Sequence, residues 1–401
     1  MQLITIIIQV IEYALLIYLS FASIYIFIFS FGGLFYKRRT YLKQEKFRKI
    51  AVLIPGFKED EVIIDVAKSA LLQKYPMNLF DVVVIADSFQ ENTITELKAL
   101  PIILVEVNFE NSTKSKALNK AMDIIGDNYD IALILDADNI MEQNFMAKIN
   151  LAFYNGFKVV QGHRVAKNLN TSFAILDAIS EEVNNHIFRK GHRALGFSSA
   201  LIGSGMAFEY HFFKSTMAGV NAVGGFDKEL EFKLLRGGNK IEYLNEAFVL
   251  DEKIQRPGDF NNQRKRWLAT QFVYFRKYFL SGLKELFFKG NIDFFDKVYQ
   301  MTAPPRILLL GIVFFITLFY FCIDFFAISI ELNVSSSLWY VTLLITVLAF
   351  LMAIPGKFYN SKTLMAMLML PKAFFMMFLL LFKLKGANTK FIHTKHGTVH
   401  N

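Results

Sequence analysis

Residues 13–35 carry no charge and no proline, and at about 1.5 Å per helical residue they are long enough to cross roughly 30 Å of hydrocarbon. The run lacks a basic n-region and a small-residue cleavage site, so it reads as an anchor rather than a signal peptide. Lys37, Arg38 and Arg39 follow at once and assign this end to the cytoplasmic side. Gln9 and Glu12 then fall near the outer interface. Residues 307–330 and 338–354 are two further spans, joined by a polar turn over 331–337. A last apolar segment, 364–382, is interrupted by Pro371-Lys372. Spanning would carry Lys383, Lys385, Lys390 and Lys395 outside, against the usual bias, so an interfacial or re-entrant helix with a basic cytoplasmic tail is expected.

This arrangement decides how the charge is read. The net charge of +9 would suit nucleic acid in a soluble chain, but beside apolar spans it suits anionic headgroups. Basic and aromatic residues do not interleave along a groove-like segment, which argues against a nucleic-acid partner. The single cysteine, Cys322, lies within an expected span and supplies neither disulfide nor thiol metal site. Asp324 lies in the same span, and either faces a protein-lined cavity or sits at the far interface.

Between the apolar ends, strand-like runs at 50–54, 82–86, 102–105 and 131–135 alternate with helical patterns at 59–73 and 114–125. Continuous apolar strands alternating with helices predict an α/β domain, with a mostly parallel sheet covered on both faces. Ligands of such sheets bind beyond the carboxyl ends of the strands. Three acidic loops fall there: Pro55 to Glu59, Asp87, and Asp136-Ala137-Asp138. The last pair offers hard oxygen ligands for Mg²⁺ or Mn²⁺, ions that complete their shell with substrate phosphates. Each is equally an ordinary loop carboxylate when taken alone. His163, His186, His192 and His211 have no metal-ligand spacing and read as surface or packing residues, and the methionines from Met365 to Met377 as lipid-facing or gap-filling.

These motifs together resemble the family 2 glycosyltransferases, in particular the membrane-embedded synthases of the cellulose, chitin and hyaluronan type, over nearly the whole chain. Pro55-Gly56-Phe57-Lys58-Glu59 is similar to the opening Pro-x-x-Asn-Glu, with Lys58 for Asn. Asp87 matches the second Asp of Asp-Asp-Gly-Ser-x-Asp, whose role in the family is uracil contact; Ala86 and Ser88 replace the first Asp and the Gly. Lys114 to Asn119 resembles Gly-Lys-x-x-Ala-Leu-Asn, which implies Lys114 near the donor phosphates. The resemblance makes Asp136 and Asp138 the nucleotide-diphosphate and metal motif, and Gly203-Ser204-Gly205 a turn lining the acceptor site. Asp227 aligns with the general base of the Glu-Asp motif; Phe226 replaces the Glu, leaving Glu229 as a fallback. Gln263, Arg266 and Trp267 form Gln-x-x-Arg-Trp, with Arg264 beside them, and this is the most specific of the motifs. Residues 391–395 resemble an aromatic and basic closing motif of such synthases.

The resemblance implies a GT-A (Rossmann-like) catalytic domain over 44–270. An N-terminal transmembrane helix and basic linker (1–43) precede it; amphipathic interface helices (271–306), two spans (307–354) and the last segment (355–401) follow. It implies an inverting transfer from a UDP-sugar donor at the cytoplasmic face of a bacterial inner membrane. Asp138 would bind Mg²⁺ or Mn²⁺ with Asp136, while Arg266, Arg264 and Lys114 meet the diphosphate. Asp227 would take the acceptor's proton, and Trp267 would carry a sugar ring on its face. Other roles stay open: Trp267 as an interface anchor, Arg264 to Arg266 as a solvated charge run, Asp227 as a helix N-cap. Three functions follow: a processive polysaccharide synthase, a single transfer to a lipid-linked or glycolipid acceptor, or a silent membrane subunit. A second copy or an export subunit is the remaining partner to consider.

Overall fold

Alternation with period two builds the centre of the fold. In β1 (Ile50–Phe57), Ala51 and Leu53 turn to one side while Ile50, Val52 and Ile54 turn to the other, and both sets are buried. β2 (Phe80–Asp87), β3 (Ile103–Val107) and β4 (Ile131–Ile134) repeat the pattern, so the sheet has an apolar layer on each face, as the continuous runs predict. The computed structural model describes residues 2–37, 46–222, 224–255, 257–328 and 332–384, and the side chains of 2–5, 257, 259, 260 and 262 are not among those described. Arg38, Arg39, Glu331, the tail lysines Lys385, Lys390 and Lys395, and the 391–395 motif lie outside the described residues.

Four more strands complete an eight-stranded sheet: β5 (Ile140–Met141), β6 (Val159–Ala166), β7 (Met206–Glu209) and β8 (Glu242–Asp251), in the order β3-β2-β1-β4-β7-β6-β8-β5. β1 to β4 run parallel, β7 is antiparallel to β4 and β6, β8 is parallel to β6, and β5 closes the edge antiparallel. The expectation of parallel strands therefore holds for the first half. The second half mixes directions, and none of its strands announces itself as a continuous apolar run, because polar residues such as Gln161, His163 and Arg164 face the interior.

Helix α1 (Gln2–Leu34) precedes the domain; α2 (Ile63–Leu71), α3 (Glu91–Lys98), α4 (Lys114–Ile125) and α5 (Phe145–Tyr154) connect its strands. α6 (Ser172–Asn185) runs through a π-helical turn, His186–Gly191, into α7 (His192–Ala194). α8 (Tyr210–Met217) and α9 (Phe226–Arg236) cover the α4 face of the sheet. Then come α10 (Pro257–Lys289), α11 (Ile292–Thr302), α12 (Arg306–Phe325), α13 (Ser336–Ala353), α14 (Ser361–Met367) and α15 (Leu370–Leu380).

The domain boundary expected at 270 falls inside α10, which is unbroken for 33 residues because neither Gly nor Pro stands between Gly258 and Gly282. Its second half exposes Phe272, Val273, Phe279, Leu280, Phe287 and Phe288. Among the described residues, four helical stretches are long and apolar enough to cross a membrane: Ile6–Leu34, Arg306–Phe325, Ser336–Ala353 and Ser361–Lys383. The last one breaks at Leu368-Met369 and not at Pro371, which sits in the first turn of α15, where a missing N–H leaves no bond unmade.

Polar groups join α1 to its neighbours. Ser20 meets Thr342 at 2.8 Å, Thr346 donates to Ser23 at 2.7 Å, and Ser30 donates to the Ala349 carbonyl at 2.6 Å. Glu12 accepts from Tyr320 and from Asn333, to which Gln9 also donates, so Gln9 and Glu12 both meet the turn between α12 and α13. Asp324 lies in the last turn of α12 and accepts from Tyr340 at 2.8 Å, which places it at the helix end rather than in a cavity.

Glycines let α1 lie against the π-helical turn. A Cβ on Gly191 would overlap the Phe29 carbonyl, and one on Gly33 would stand 2.6 Å from His186. His192 stacks on Phe29 at 3.8 Å and binds Asp296 of α11. Gly191→Ala is therefore expected to destabilise the protein by about 1–3 kcal/mol. The thermal midpoint in detergent would read this, and an unchanged midpoint would refute the packing argument.

Candidate active site

The crevice begins where β1 and β2 end together, with Phe57 opposite Asp87. Two backbones turn sharply here: Lys58 has φ 56° and Ser88 φ 60°, both left-handed. Asn and Gly occupy that region most readily, and those are the types that Lys58 and Ser88 replace in the resembled motifs. The substitutions thus change the side chains and keep the turns. The Lys58 N–H donates to the Asp87 carbonyl at 3.1 Å, and Asp60 accepts from the Gln90 N–H, tying the two loops together. Pro55 and Gly56 bring this edge against the next loop; a Cβ on Gly56 would meet Phe89 at 2.6 Å and Ala137 at 3.6 Å. Glu59 ends the first loop, where its carbonyl accepts from Val62 and Ile63. Asp87 is buried and accepts from the Ser88 hydroxyl.

Asp136 and Asp138 follow β4 and are held by Ser204 and by residues that sequence alone does not single out, Asn139, Gln161 and Asp251. The Asp136 N–H donates to Ser204 Oγ at 2.9 Å, and that hydroxyl donates to Asn139 Oδ1 at 2.6 Å. Asn139 Nδ2 then donates to Asp138 Oδ1 and to Asp251 Oδ1, both at 3.0 Å. Gln161 clamps the turn over 202–205, donating to the Ser204 and Gly205 carbonyls and accepting from the Ile202 N–H. Gly203 and Gly205 are left-handed at φ 85° and 60°, so the turn needs them.

Lys114 opens α4, whose first turn is capped by Thr113. Its ammonium bonds to Asp136, donates to the Gly203 carbonyl at 2.8 Å, and lies 5.0 Å from the centre of the Phe226 ring. On the other side of Gly203 stands Asp227, whose Cβ and Cγ lie 3.9 Å from where a Gly203 Cβ would be. Asp227 is the second residue of α9 and makes no capping bond; the cap position belongs to left-handed Gly225. Gly225 also permits close contact with α10, since a Cβ there would meet Thr270 at 2.6 Å. Through that contact α10 brings in Arg266. Burial lowers the pKa of its guanidinium, and the charges of Asp136 and Asp227 act in the opposite sense.

Lys114, Asp136, Gly203, Asp227 and Arg266 thus converge on one crevice. Other expected residues do not join them. Arg264 turns away to α6, donating to Asp177 at 2.8 Å and stacking 4.5 Å from the centre of Trp267, which is 40% exposed. Gln263 Oε1 is buried without a hydrogen-bond partner among the described residues. Glu229, the fallback base, is buried and occupied by Lys277 at 3.0 Å and Tyr274 at 3.4 Å, so it does not face the crevice as a free carboxylate.

Beneath Asn139 lies a buried ionic cluster that sequence reading missed. Arg164 donates to Glu181 at 2.7 Å and reaches Asp251; Lys253 donates to Asp251 at 2.6 Å. Burial alone would raise the Glu181 carboxyl, but Arg164, Lys253 and Arg189 hold it well below the ordinary range. The only sequence signal was the Asp-Glu-Lys run at the end of β8.

Asp136 and Asp138 suit a small divalent cation chemically, as two hard carboxylates just beyond β4, the first partly exposed and the second buried. No group of three or more His, Cys, Asp or Glu suited to a metal gathers among the described residues, so those residues supply no all-protein cage. Two carboxylates that leave the remaining positions to phosphate oxygens are the arrangement Mg²⁺ favours.

The family model "Glycosyltransferase like family 2" matches residues 48–270. The probable glycosyltransferase YdaM of Bacillus subtilis (strain 168) is 24% identical over 275 residues, covering 62% of this chain and 64% of that protein, so the match spans less than two thirds of the relative. Among solved structures, the mannosyltransferase PcManGT of Pyrobaculum calidifontis, in complex with GDP-Man and Mn²⁺, superposes with a TM-score of 0.52 at 13% identity, over 84% of this chain and 97% of that one. Glucosyl-3-phosphoglycerate synthase of Mycobacterium tuberculosis, with Mn²⁺, UDP and phosphoglyceric acid, gives a TM-score of 0.37 at 17% identity, over 53% and 73% of the two chains.

The buried carboxylates predict acid sensitivity. Burial raises Glu182, but hydrogen bonds and charges from His163 and Lys357 overcome this and hold it down to about 2, against an ordinary value of 4.5. A lowered carboxyl stabilises the fold above pH 4.5 and loses that contribution as pH falls toward 2. The difference in thermal midpoint between wild type and Glu182→Gln should be largest at neutral pH and shrink below pH 4.5. A difference independent of pH would contradict the assignment.

Proposed function

Since the chain belongs to the family 2-like glycosyltransferases and has their GT-A type of fold, we propose that it is a membrane-bound, inverting enzyme that moves a hexosyl or N-acetylhexosaminyl unit from a UDP-sugar to a growing polysaccharide. The observation that carries this reading is the crevice that gathers one group, Lys114, Asp136 and Arg266, and a second, Asp227, around Gly203. The first group is cationic and carboxylate in character, suited to a nucleoside diphosphate. The second is a carboxylate suited to a hydroxyl.

In this reaction the acceptor oxygen attacks the anomeric carbon, its bond to the diphosphate breaks, and UDP leaves. Asp227 takes the hydroxyl proton as the new bond forms. Lys114 and Arg266 meet the charge that grows on the leaving diphosphate. Mg²⁺ or Mn²⁺ would be held by Asp138 and Asp136, and when bound it supplies further positive charge to that leaving group. Asp87 would meet the uracil, with Pro55 and Glu59 shaping its side of the crevice, and Gln263 would lie on the donor side. Trp267, which follows Arg266 in the chain, would offer its exposed ring to the acceptor sugar, with the Gly203-Ser204-Gly205 turn lining the acceptor site. Arg264 serves by fixing Trp267 rather than by touching the donor. With α1 and α12 to α15 read as membrane elements, the domain is cytoplasmic at a bacterial inner membrane.

A second reading, single addition to a lipid-linked acceptor, is favoured by the packing of the spans. The volume between α1 and α13, about 290 Å³, is lined by Leu16, Ile17, Ile24, Leu338, Val341 and Ile345 together with Ser20, Ser23 and Thr342, a mostly apolar lining better suited to hydrocarbon than to a sugar chain.

The test is release of UDP by the full-length protein in detergent with a panel of UDP-sugars and Mg²⁺ or Mn²⁺, followed by sizing of the product. Asp227→Asn is expected to slow turnover roughly 100- to 10,000-fold, while Glu229→Gln leaves it largely intact. A ladder of products supports the synthase and one added sugar the second reading. Turnover unaffected by Asp227→Asn would overturn both.

A further inference from the structure

Among the described residues, one cation near Arg264 has no carboxylate in contact with it. Arg306 begins α12 and turns inward onto α6, where it bonds to Asn184 Oδ1 and lies 3.4 Å from Ser180 Oγ and 5.6 Å from the centre of the Phe188 ring. No carboxylate lies within 4.0 Å of its guanidinium among the described residues. The nearby charges that act on it are two arginines, Arg264 and Arg189, and a single carboxylate, Glu181. That carboxylate already serves Arg164, Arg189 and Lys253. This half-buried guanidinium is met by neutral oxygens and by no carboxylate in contact among the described residues, and an anion would complete its charge balance.

The position is next to the Arg264–Trp267 pair. Asp177 and Ser180, one helical turn apart on α6, hold Arg264 and Arg306 respectively, and Arg264 stacks on Trp267. Gln271, one turn beyond Trp267 on α10, donates to the Ala303 carbonyl at 2.8 Å and so fixes the segment that leads into Arg306. Leu268, adjacent to Trp267, packs with Leu308 of α12 and Phe374 of α15. Arg306 therefore stands at the junction of the catalytic domain with two apolar helical stretches, where a headgroup at the membrane surface would meet it.

We infer that Arg306, with Ser180 and Asn184, binds the phosphate of a lipid-linked sugar acceptor, holding its sugar over Trp267. This rests on the second reading above. The phosphate is an anchor and not the nucleophile: the reacting oxygen is a hydroxyl of the linked sugar, which loses its proton to Asp227 as UDP departs from the donor. Guanidinium suits this task because its planar fork matches phosphate oxygens, while Ser180 and Asn184 can donate to the same group.

The experiment compares two synthetic acceptors in neutral phosphatidylcholine vesicles with the full-length protein. One carries glucose or N-acetylglucosamine on a prenyl diphosphate, and the other joins the same sugar to the prenyl chain by an ether. Sugar transfer from UDP-sugar is measured for each, with UDP affinity measured separately by calorimetry. The phosphate acceptor is expected to show a kcat/KM at least tenfold higher, through KM. Arg306→Gln should remove that preference while UDP affinity stays within about twofold. Asn184→Asp, which places a carboxylate beside the guanidinium, should do the same in a protein whose fold needs no new cavity. Equal use of the two acceptors, or a preference retained in both variants, would overturn the inference. Failure to bind UDP or to transfer to any acceptor in wild type would instead count against the glycosyltransferase reading itself.

Discussion

The polar face of α6 is the interaction on which the arrangement depends. Asp177 holds Arg264 of α10, Glu181 holds Arg164 of β6 and Lys253 after β8, and Glu182 holds His163 and Lys357. Ser180 and Asn184 receive Arg306 of α12. One helix thereby ties the sheet, the helix that carries the Arg-Trp motif and the first apolar helix beyond it. Ions buried in this way are costly unless each meets its partner at the right distance, so the cluster tolerates one relative placement of these elements and few others. It also connects to chemistry, because Asp251 passes through Asn139 to Asp138 and Ser204.

The fold was legible where local pattern and tertiary role coincide. Strands β1 to β4 are apolar on both faces because helices cover both faces, and their carboxyl ends line the crevice, so Asp87, Asp136 and Asp138 could be assigned by position. The four strands from β5 to β8 were not, since Gln161, His163 and Arg164 interrupt the apolar run at points where the interior is itself charged. The continuity of α10 was likewise hidden by a change of surroundings along one helix: its first half touches the catalytic domain and its second half exposes aromatics, and a reading by composition divides what the backbone keeps whole.

Side-chain direction was the part of the site least available to sequence. Arg264 and Arg266 are two residues apart in a helix and so point to different sides; one meets Asp177 and the other the field of Asp136 and Asp227. Glu229 has the chemistry of a base, yet Lys277 and Tyr274 occupy it. Departures from the resembled motifs have a shared logic. Lys58 and Ser88 preserve left-handed turns, and Phe226 replaces a carboxylate with a ring beneath the Lys114 ammonium, so the lysine keeps a favourable neighbour without a second negative charge beside Asp227.

An unbroken α10 of 33 residues is a rod about 50 Å long at 1.5 Å per residue. One end carries Arg266 and Trp267, and the other ends in Phe287 and Phe288, which are 76% and 85% exposed. A rod does not absorb strain between its ends as a jointed pair of helices would. Whatever displaces the exposed distal aromatics therefore displaces the guanidinium of Arg266 with them, so the far end of the rod is a lever on the crevice.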